Sequence, residues 1–338
     1  MMAAIPQVVK AAARSAAGQV YRASSRLETH LTGKVLILMY HRVIPPREVE
    51  ATFVQPGMYV TPETFERHLQ FLSARFEILS LSDLLAKWRQ GACDSSSRSC
   101  VLTFDDGWLD NYRYAYPLLH AYRVPATIFL PTDMIGTNTW LWSDRLGYLL
   151  HRQQRLENRR AVDDVDAAIE RAKTLSDDAR ERLIQGLADE IGVHVPTDRR
   201  LVNWAEVREM SREGISFGSH TCTHANLTRV DGAALERELR RPIEVLEQQR
   251  VNHVRVLSYP NGDHTDAVVA AAQAAGYDAA VTTNPGPESA PAADLFRLKR
   301  IGVHEDISRS ESLLTFHIAR QASKEKLPTT NAQLPKRL

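Results

Sequence analysis

Apolar and polar positions along the chain switch repeatedly between short continuous apolar runs and a helical period. The run KVLILMY, Lys34 to Tyr40, is apolar on both faces, which is the pattern of a strand covered on both sides. Thr61-Pro62 then opens a helix, with Thr61 as N-cap and Pro62 in the first turn. Phe65, Leu69 and Leu72 give that helix an i, i+4, i+7 stripe. Glu77 to Leu79 reads as a brief strand, and Asp83 to Gln90 as a short helix stopped by Gly91. Cys100 to Phe104 and Ala126 to Leu130 read as buried strands. After an interruption the rhythm resumes with a helix from Trp204 to Glu213, closed by Gly214, and a strand from Ile215 to Ser219. Leu235, Leu239, Ile243 and Leu246 mark a long helix. Arg255 to Tyr259 is a strand, Asp266 to Ala275 a helix closed by Gly276, and Asp278 to Thr282 a strand; a later strand precedes His304.

Strand–helix units with apolar strands predict an α/β fold: a parallel sheet covered by helices, closed into a barrel or doubly wound. In either case function belongs at the C-terminal ends of the strands. No repeat of fixed period is present. The interruption, residues 137–203, opens with Trp140, Trp142 and Tyr148 and continues as a charged helical stretch from Arg152 to Glu190. Its apolar content is too thin for an independent core, so it reads as a helical insertion within one domain spanning 34–321.

The flanks differ. In residues 1–33, Val8, Val9, Ala12, Ala16 and Val20 fall at helical spacing among Lys10, Arg14 and Arg22. This is either a weak interfacial helix touching a membrane surface or a packed leader helix. Lys10 and Arg14 break any apolar run, so no secretory signal is read, and no stretch of about 18 apolar residues exists to span a membrane. The expected location is cytoplasmic, at most peripheral to a membrane. Residues 322–338 are polar with two prolines and read as a disordered tail.

Charge and cysteine content narrow the field. Of 338 residues, 42 are Lys or Arg and 41 Asp or Glu, a net charge of +1 that gives no support to nucleic-acid binding. Cys93, Cys100 and Cys222 form neither a disulfide framework nor a CxxC pair, and read as free thiols.

Three polar clusters follow three of the strands. In Thr103-Phe104-Asp105-Asp106-Gly107, two adjacent carboxylates repel, so one gains a cation or holds a proton. Gly107 lets the backbone turn close to a ligand. In Ser219-His220-Thr221-Cys222-Thr223-His224, two imidazoles four residues apart can converge on one metal. Cys222 between them is expected to point away. Two His and one carboxylate leave positions open for water and substrate, the shape of a catalytic site. In Ser258-Tyr259-Pro260-Asn261-Gly262 a tight loop exposes backbone N–H groups, as an oxyanion hole requires.

Together TFDDG, SHTCTH and SYPNG, with the leading MYHRV (Met39 to Val43), resemble the polysaccharide deacetylase family, also called the NodB homology domain or carbohydrate esterase family four. MYHRV is similar to the first strand of the branch with circularly permuted motifs. The resemblance runs from about Lys34 to Ile307. It implies a distorted (β/α) barrel, a divalent metal ion, Zn2+ in first place, and removal of N-acetyl groups from hexosamine units of a glycan or a lipid-linked glycan precursor. It further implies that Asp106, His220 and His224 hold the metal, that Asp105 is the general base, and that the Asn261 N–H faces the oxyanion. Asp105 and Asp106 are expected to face opposite sides of an extended segment. The general acid is His41, with His304 as the alternative. The usual third motif has Arg where Ser258 stands; Arg300, in LKRIG, is a candidate replacement. Trp140, Trp142 and Tyr148 either stack on sugar rings or, the preferred reading, pack the insertion onto the barrel. Other readings are an O-acetyl, formyl or ureide hydrolase of the same fold, and a catalytically silent glycan-binding protein.

Overall fold

The computed structural model describes residues 13–20, 31–51, 53–92, 98–156 and 163–323. Seven strands form a closed parallel ring: β1 (Lys34–Tyr40), β2 (Ser99–Phe104), β3 (Thr127–Leu130), β4 (Ser216–Ser219), β5 (His253–Ser258), β6 (Ala279–Pro285) and β7 (Leu298–Gly302). β1 pairs in parallel with β2 along its whole length, Val35 opposite Ser99 through Tyr40 opposite Phe104, and on its other side with β7. The register slips between β6 and β7 and between β4 and β5, and these irregularities distort the barrel. The short strand at Glu77–Ile78 lies outside the ring, against the start of β2.

Side-chain alternation sorts the core into two layers. Ile37, Val101, Phe129, Val256 and Val281 pack in one cluster with Leu81, Leu84 and Trp88 of helix α2 (Leu81–Arg89). Leu36, Leu38, Leu102, Ile128 and Phe217 pack in another with Phe65 and Leu69 of α1 (Pro62–Ser73). Each fully buried side chain of this kind contributes about 1.5–3 kcal/mol. The remaining helices of the ring are α3 (Tyr116–Tyr122), α7 (Trp204–Arg212), α8 (Gly232–Gln249), α9 (Asp266–Ala275), α10 (Glu305–Ser308) and α11 (Glu311–Ala322). Thr61 caps α1 by accepting from the Thr64 N–H.

Between β3 and β4 the chain forms α4 (Trp142–Leu156), α5 (Asp163–Ala172) and α6 (Asp177–Ile191). They gather a small apolar cluster of their own, with Leu146, Leu149, Ile169 and Ile184 at its centre and Phe53 packed on it. This is more core than the sparse pattern led us to expect. Residues 13–20 of the leader are helical, and Gly18 lies against the backbone of α11. A Cβ there would fall 1.8 Å from the Ser312 carbonyl oxygen. Residues 1–12 and 21–30 of the leader, Cys93, and the tail from 324 lie outside the described residues. Among the described residues no helix is long and apolar enough to cross a membrane.

Candidate active site and metal centre

The C-terminal ends of the strands open on a cavity of about 320 Å3 that takes in Asp105, Asp106, His41, His220, His224 and Asn261. Asp106 is the second residue past the end of β2. Its φ of 72° is in the left-handed region, as is that of Gly107 at 67°. The two acids therefore diverge because the backbone turns over at Asp106, and the extended segment expected from the sequence ends at Asp105. A Cβ on Gly107 would lie 2.5 Å from Leu130 Cδ2, so position 107 requires glycine twice over. The Trp108 indole N–H donates to Asp106 Oδ2 at 3.0 Å. That leaves Oδ1 facing His220 Nε2 at 3.3 Å and His224 Nε2 at 3.4 Å.

The two histidines come from the loop after β4. Thr221 and His224 both have positive φ, 65° and 61°, conformations costing about 1–3 kcal/mol each for residues with a Cβ. Glu238 of α8, almost fully buried, offsets that strain. Its carboxylate accepts from the Cys222 and Thr223 N–H groups at 2.9 and 3.0 Å and from the Thr223 hydroxyl at 3.0 Å. Cys222 points away from the pair, its thiol toward the Arg237 carbonyl. His220 Nδ1–H donates to the Ser258 carbonyl at 2.8 Å, which orients the ring and turns Nε2 toward Asp106.

The donor atoms of Asp106, His220 and His224 lie within 4.8 Å of one another. Two neutral imidazoles and one carboxylate, one imidazole oriented through its far nitrogen, fit a divalent ion of the zinc type. Burial opposes charge on Asp106, yet its contact with the two rings, His220 first, holds the carboxyl far below the usual range, and that carboxylate in turn raises His220 against the effect of burial. Burial and repulsion from His220 push His224 down to about 4, so its ring is neutral.

Asp105 has a different environment. The Arg300 guanidinium, 0% exposed, holds it bidentately: Nη1 to Oδ1 at 2.8 Å and Nη2 to Oδ2 at 2.7 Å. Arg300 also donates to the Thr282 carbonyl, to Thr103 Oγ1 and to Ser258 Oγ, at 2.9, 3.3 and 3.1 Å, which accounts for all five of its donors. Burial works against the charge on Asp105, but Arg300 overrides it and keeps the carboxyl below its usual pKa. The guanidinium thus comes from β7 to Ser258, the position where the family's third motif has its Arg. A serine there leaves the space it fills.

His41 follows β1 and lines this cavity, its backbone carbonyl held by the Asn111 side-chain N–H at 2.8 Å. Burial lowers its pKa, and the Asp106 and Asp105 charges only partly restore it. His304 lines a neighbouring cavity instead. Asn261 sits at the lip in a left-handed turn, φ 59°. The insertion supplies one wall through Trp142, Asp144 and Lys173. Trp140 is turned away: its N–H donates to the Asp198 carbonyl at 2.8 Å, and Arg200 lies 4.0 Å over the ring. Packing is therefore its role, whereas Trp142 faces the cavity. Sequence reasoning missed Glu238 and Asp144. No motif marks either, and only the fold carries them to the site. Burial pushes the Asp144 carboxyl up to about 7.

Comparison with known proteins agrees with this architecture. The chain is 25% identical over 289 residues to YxkH of Bacillus subtilis (strain 168), named as a polysaccharide deacetylase, covering 85% of this chain and 77% of that protein. The Streptococcus pyogenes deacetylase PplD, solved in complex with acetate, superposes with a TM-score of 0.57 at 23% identity, covering 84% of this chain and 98% of that one. A de-N-acetylase from Aggregatibacter actinomycetemcomitans gives 0.55 at 16% identity, covering 84% and 99%. Both share the fold. The family model for polysaccharide deacetylases matches residues 93–280, more than half of the chain, and the chain belongs to that family of hydrolases.

Proposed function

We propose that the chain is a metal-dependent N-deacetylase, acting on N-acetylhexosamine units of a glycan or of a lipid-linked glycan precursor. One observation carries this reading: the Asp106–His220–His224 triad and Asp105, held from behind by Arg300, line the same cavity. Asp106, His220 and His224 would hold a divalent ion, Zn2+ by donor type, which when bound supplies Lewis acidity to polarise the acetyl carbonyl and acidify water. Asp105, kept ionised by Arg300, takes the proton of the attacking water. Its bidentate grip by Arg300 aims the free lone pairs of the carboxylate. The Asn261 N–H faces the oxyanion that develops on the acetyl group. His41 delivers a proton to the departing amine. Burial makes its protonated ring a stronger acid than an exposed histidine, which suits that transfer. Trp142 at the wall offers an apolar face to a sugar ring.

The test is metal analysis of the purified protein together with acetate release from a panel of N-acetylated oligosaccharides, lipid-linked N-acetylhexosamines and their O-acetylated counterparts. Acetate from the N-acetylated members, lost on chelation, is the expected result. Release only from O-acetylated members would replace the amide reading by an ester one. Stoichiometric metal without release from any member would overturn both.

A further inference from the structure

A second cavity, of about 720 Å3, adjoins the catalytic one and shares Met39, His41 and Met58 with it. Among the described residues its walls carry Arg14, Arg309 and Arg320, with His304, His317 and a single carboxylate, Asp306. The three arginines come from separate places: the leader helix at 13–20, the turn after α10, and α11. Among the described residues none of the three guanidinium groups is in an ion pair, whereas Arg42, Arg199, Arg241, Arg297 and Arg300 all are. Three like charges on one cavity repel. Gly18 anchors the leader helix against Ser312 and so holds Arg14 on this wall. One carboxylate is satisfied by one bidentate guanidinium, while a phosphate or diphosphate presents more charge and more acceptor oxygens.

We propose that this cavity binds a phosphate or diphosphate group joined to the acetylated sugar. The sugar occupies the catalytic cavity, and the anion lies on the other side of His41. This rests on the deacetylase reading and narrows its substrate to a phosphorylated glycan or a glycosyl diphosphate. His41 stands at the junction, so a substrate held at both ends passes its reactive amide close to that ring.

The proposal is tested on the full chain by titrating inorganic pyrophosphate calorimetrically into the wild type and into the triple variant Arg14→Gln, Arg309→Gln, Arg320→Gln. The metal ligands are unchanged in the variant, so any metal chelation contributes equally to both and the difference reports the arginines. At least tenfold weaker binding in the variant is expected. The exposed Arg309→Gln alone, which disturbs no packing, should give a smaller loss in the same direction. Equal binding by wild type and both variants would overturn the proposal, whatever the outcome for acetate release.

Kinetics then separate the sources of phosphate. With a neutral N-acetylglucosamine oligomer, a sugar 1-phosphate and a prenyl-diphosphate-linked N-acetylhexosamine as substrates, the triple variant should raise KM tenfold or more for the phosphorylated class that is the substrate. The neutral oligomer should be unaffected. A uniform change across all three would count against the proposal.

Discussion

At the scale of single residues, the site divides into side chains that a motif announces and side chains that only contact reveals. Asp106, His220 and His224 belong to the first kind, because ligand chemistry restricts residue type and a strand end restricts position. Asp105 is legible for the same reason, and its role leads to a sharp expectation. Asp105→Asn keeps the shape and hydrogen-bonding reach of the side chain but removes its charge. It should retain stoichiometric metal and lose on the order of 10²–10⁴-fold in kcat, the usual range for a general base. Loss of metal together with activity would instead make Asp105 a structural support of the triad. His41→Ala should lose a similar factor with metal retained, while His304→Ala, which alters only the neighbouring cavity, should leave turnover on a neutral glycan near normal. The reverse ranking would transfer the acid role to His304. Glu238 belongs to the second kind. Three donors of the Cys222–Thr223 turn end on its carboxylate, yet it sits mid-helix, 16 residues from Cys222, and looks in the sequence like any solvated acid. Glu238→Ala should weaken metal affinity about 10–100-fold, the usual cost of losing a group that orients a ligand, and a competition titration with a chromophoric chelator would measure it.

At the scale of elements, β1, β2 and β3 were readable because each is a largely apolar run, α1 because the Thr61 cap and Pro62 open a clean stripe, and α9 because Gly276 closes it. α2 starts at Leu81, two residues before the sequence suggested, since Ser80 caps it by accepting from the Asp83 N–H. No sequence pattern pointed to α11. Leu313, Leu314, Thr315, His317, Ile318 and Ala319 are buried around its whole circumference, so it has no polar face to set a period. Pairing between elements was least visible of all. Arg300 and Asp105 are 195 residues apart and meet only because β7 and β2 are both neighbours of β1. That arrangement carries a prediction about strands as interchangeable supports. Arg300→Ser leaves Asp105 buried without its countercharge, which should destabilise the fold by about 3–5 kcal/mol and abolish turnover. Ser258 Oγ lies 3.1 Å from Arg300 Nη2, so an arginine at 258 on β5 starts close to the same spot. Adding Ser258→Arg to Arg300→Ser should recover stability, read by thermal unfolding, and part of the activity. A double variant no better than Arg300→Ser would mean that the guanidinium must enter from β7.

At the scale of the whole molecule, the barrel is apolar over much of its interior and polar where Thr103, Ser258, Thr282, Asp105 and Arg300 meet beneath the mouth. Near that mouth α10 and α11 return to β1 and α1, and one buried side chain joins them. His68 of α1, 1% exposed, receives the Tyr40 hydroxyl of β1 on Nδ1 at 3.1 Å and donates from Nε2 to the Ser308 carbonyl at the end of α10, at 2.7 Å. This pair of bonds demands the neutral ring with its proton on Nε2. Burial accordingly pushes the His68 pKa from 6.5 down to about 4. His317 of α11, donating to the Gly302 carbonyl at 2.9 Å, is likewise pushed down to about 4 by burial. Both groups bind protons more readily in the unfolded chain than in the native one. Their contribution is therefore complete above pH 6.5 and declines as the pH falls through the folded value near 4. A displacement of this size corresponds to about 3 kcal/mol per histidine at most. The closure of first strand, first helix and last helices should thus loosen in mild acid, before most carboxylates protonate. Denaturant midpoints measured from pH 7.5 down to 4 should fall steeply for the wild type. His68→Gln cannot titrate, and although less stable at pH 7.5 it should show a visibly shallower fall over the same interval. Parallel curves for the two proteins would mean that acid sensitivity arises elsewhere, and that His68 is not a proton-linked clamp between β1, α1 and α10.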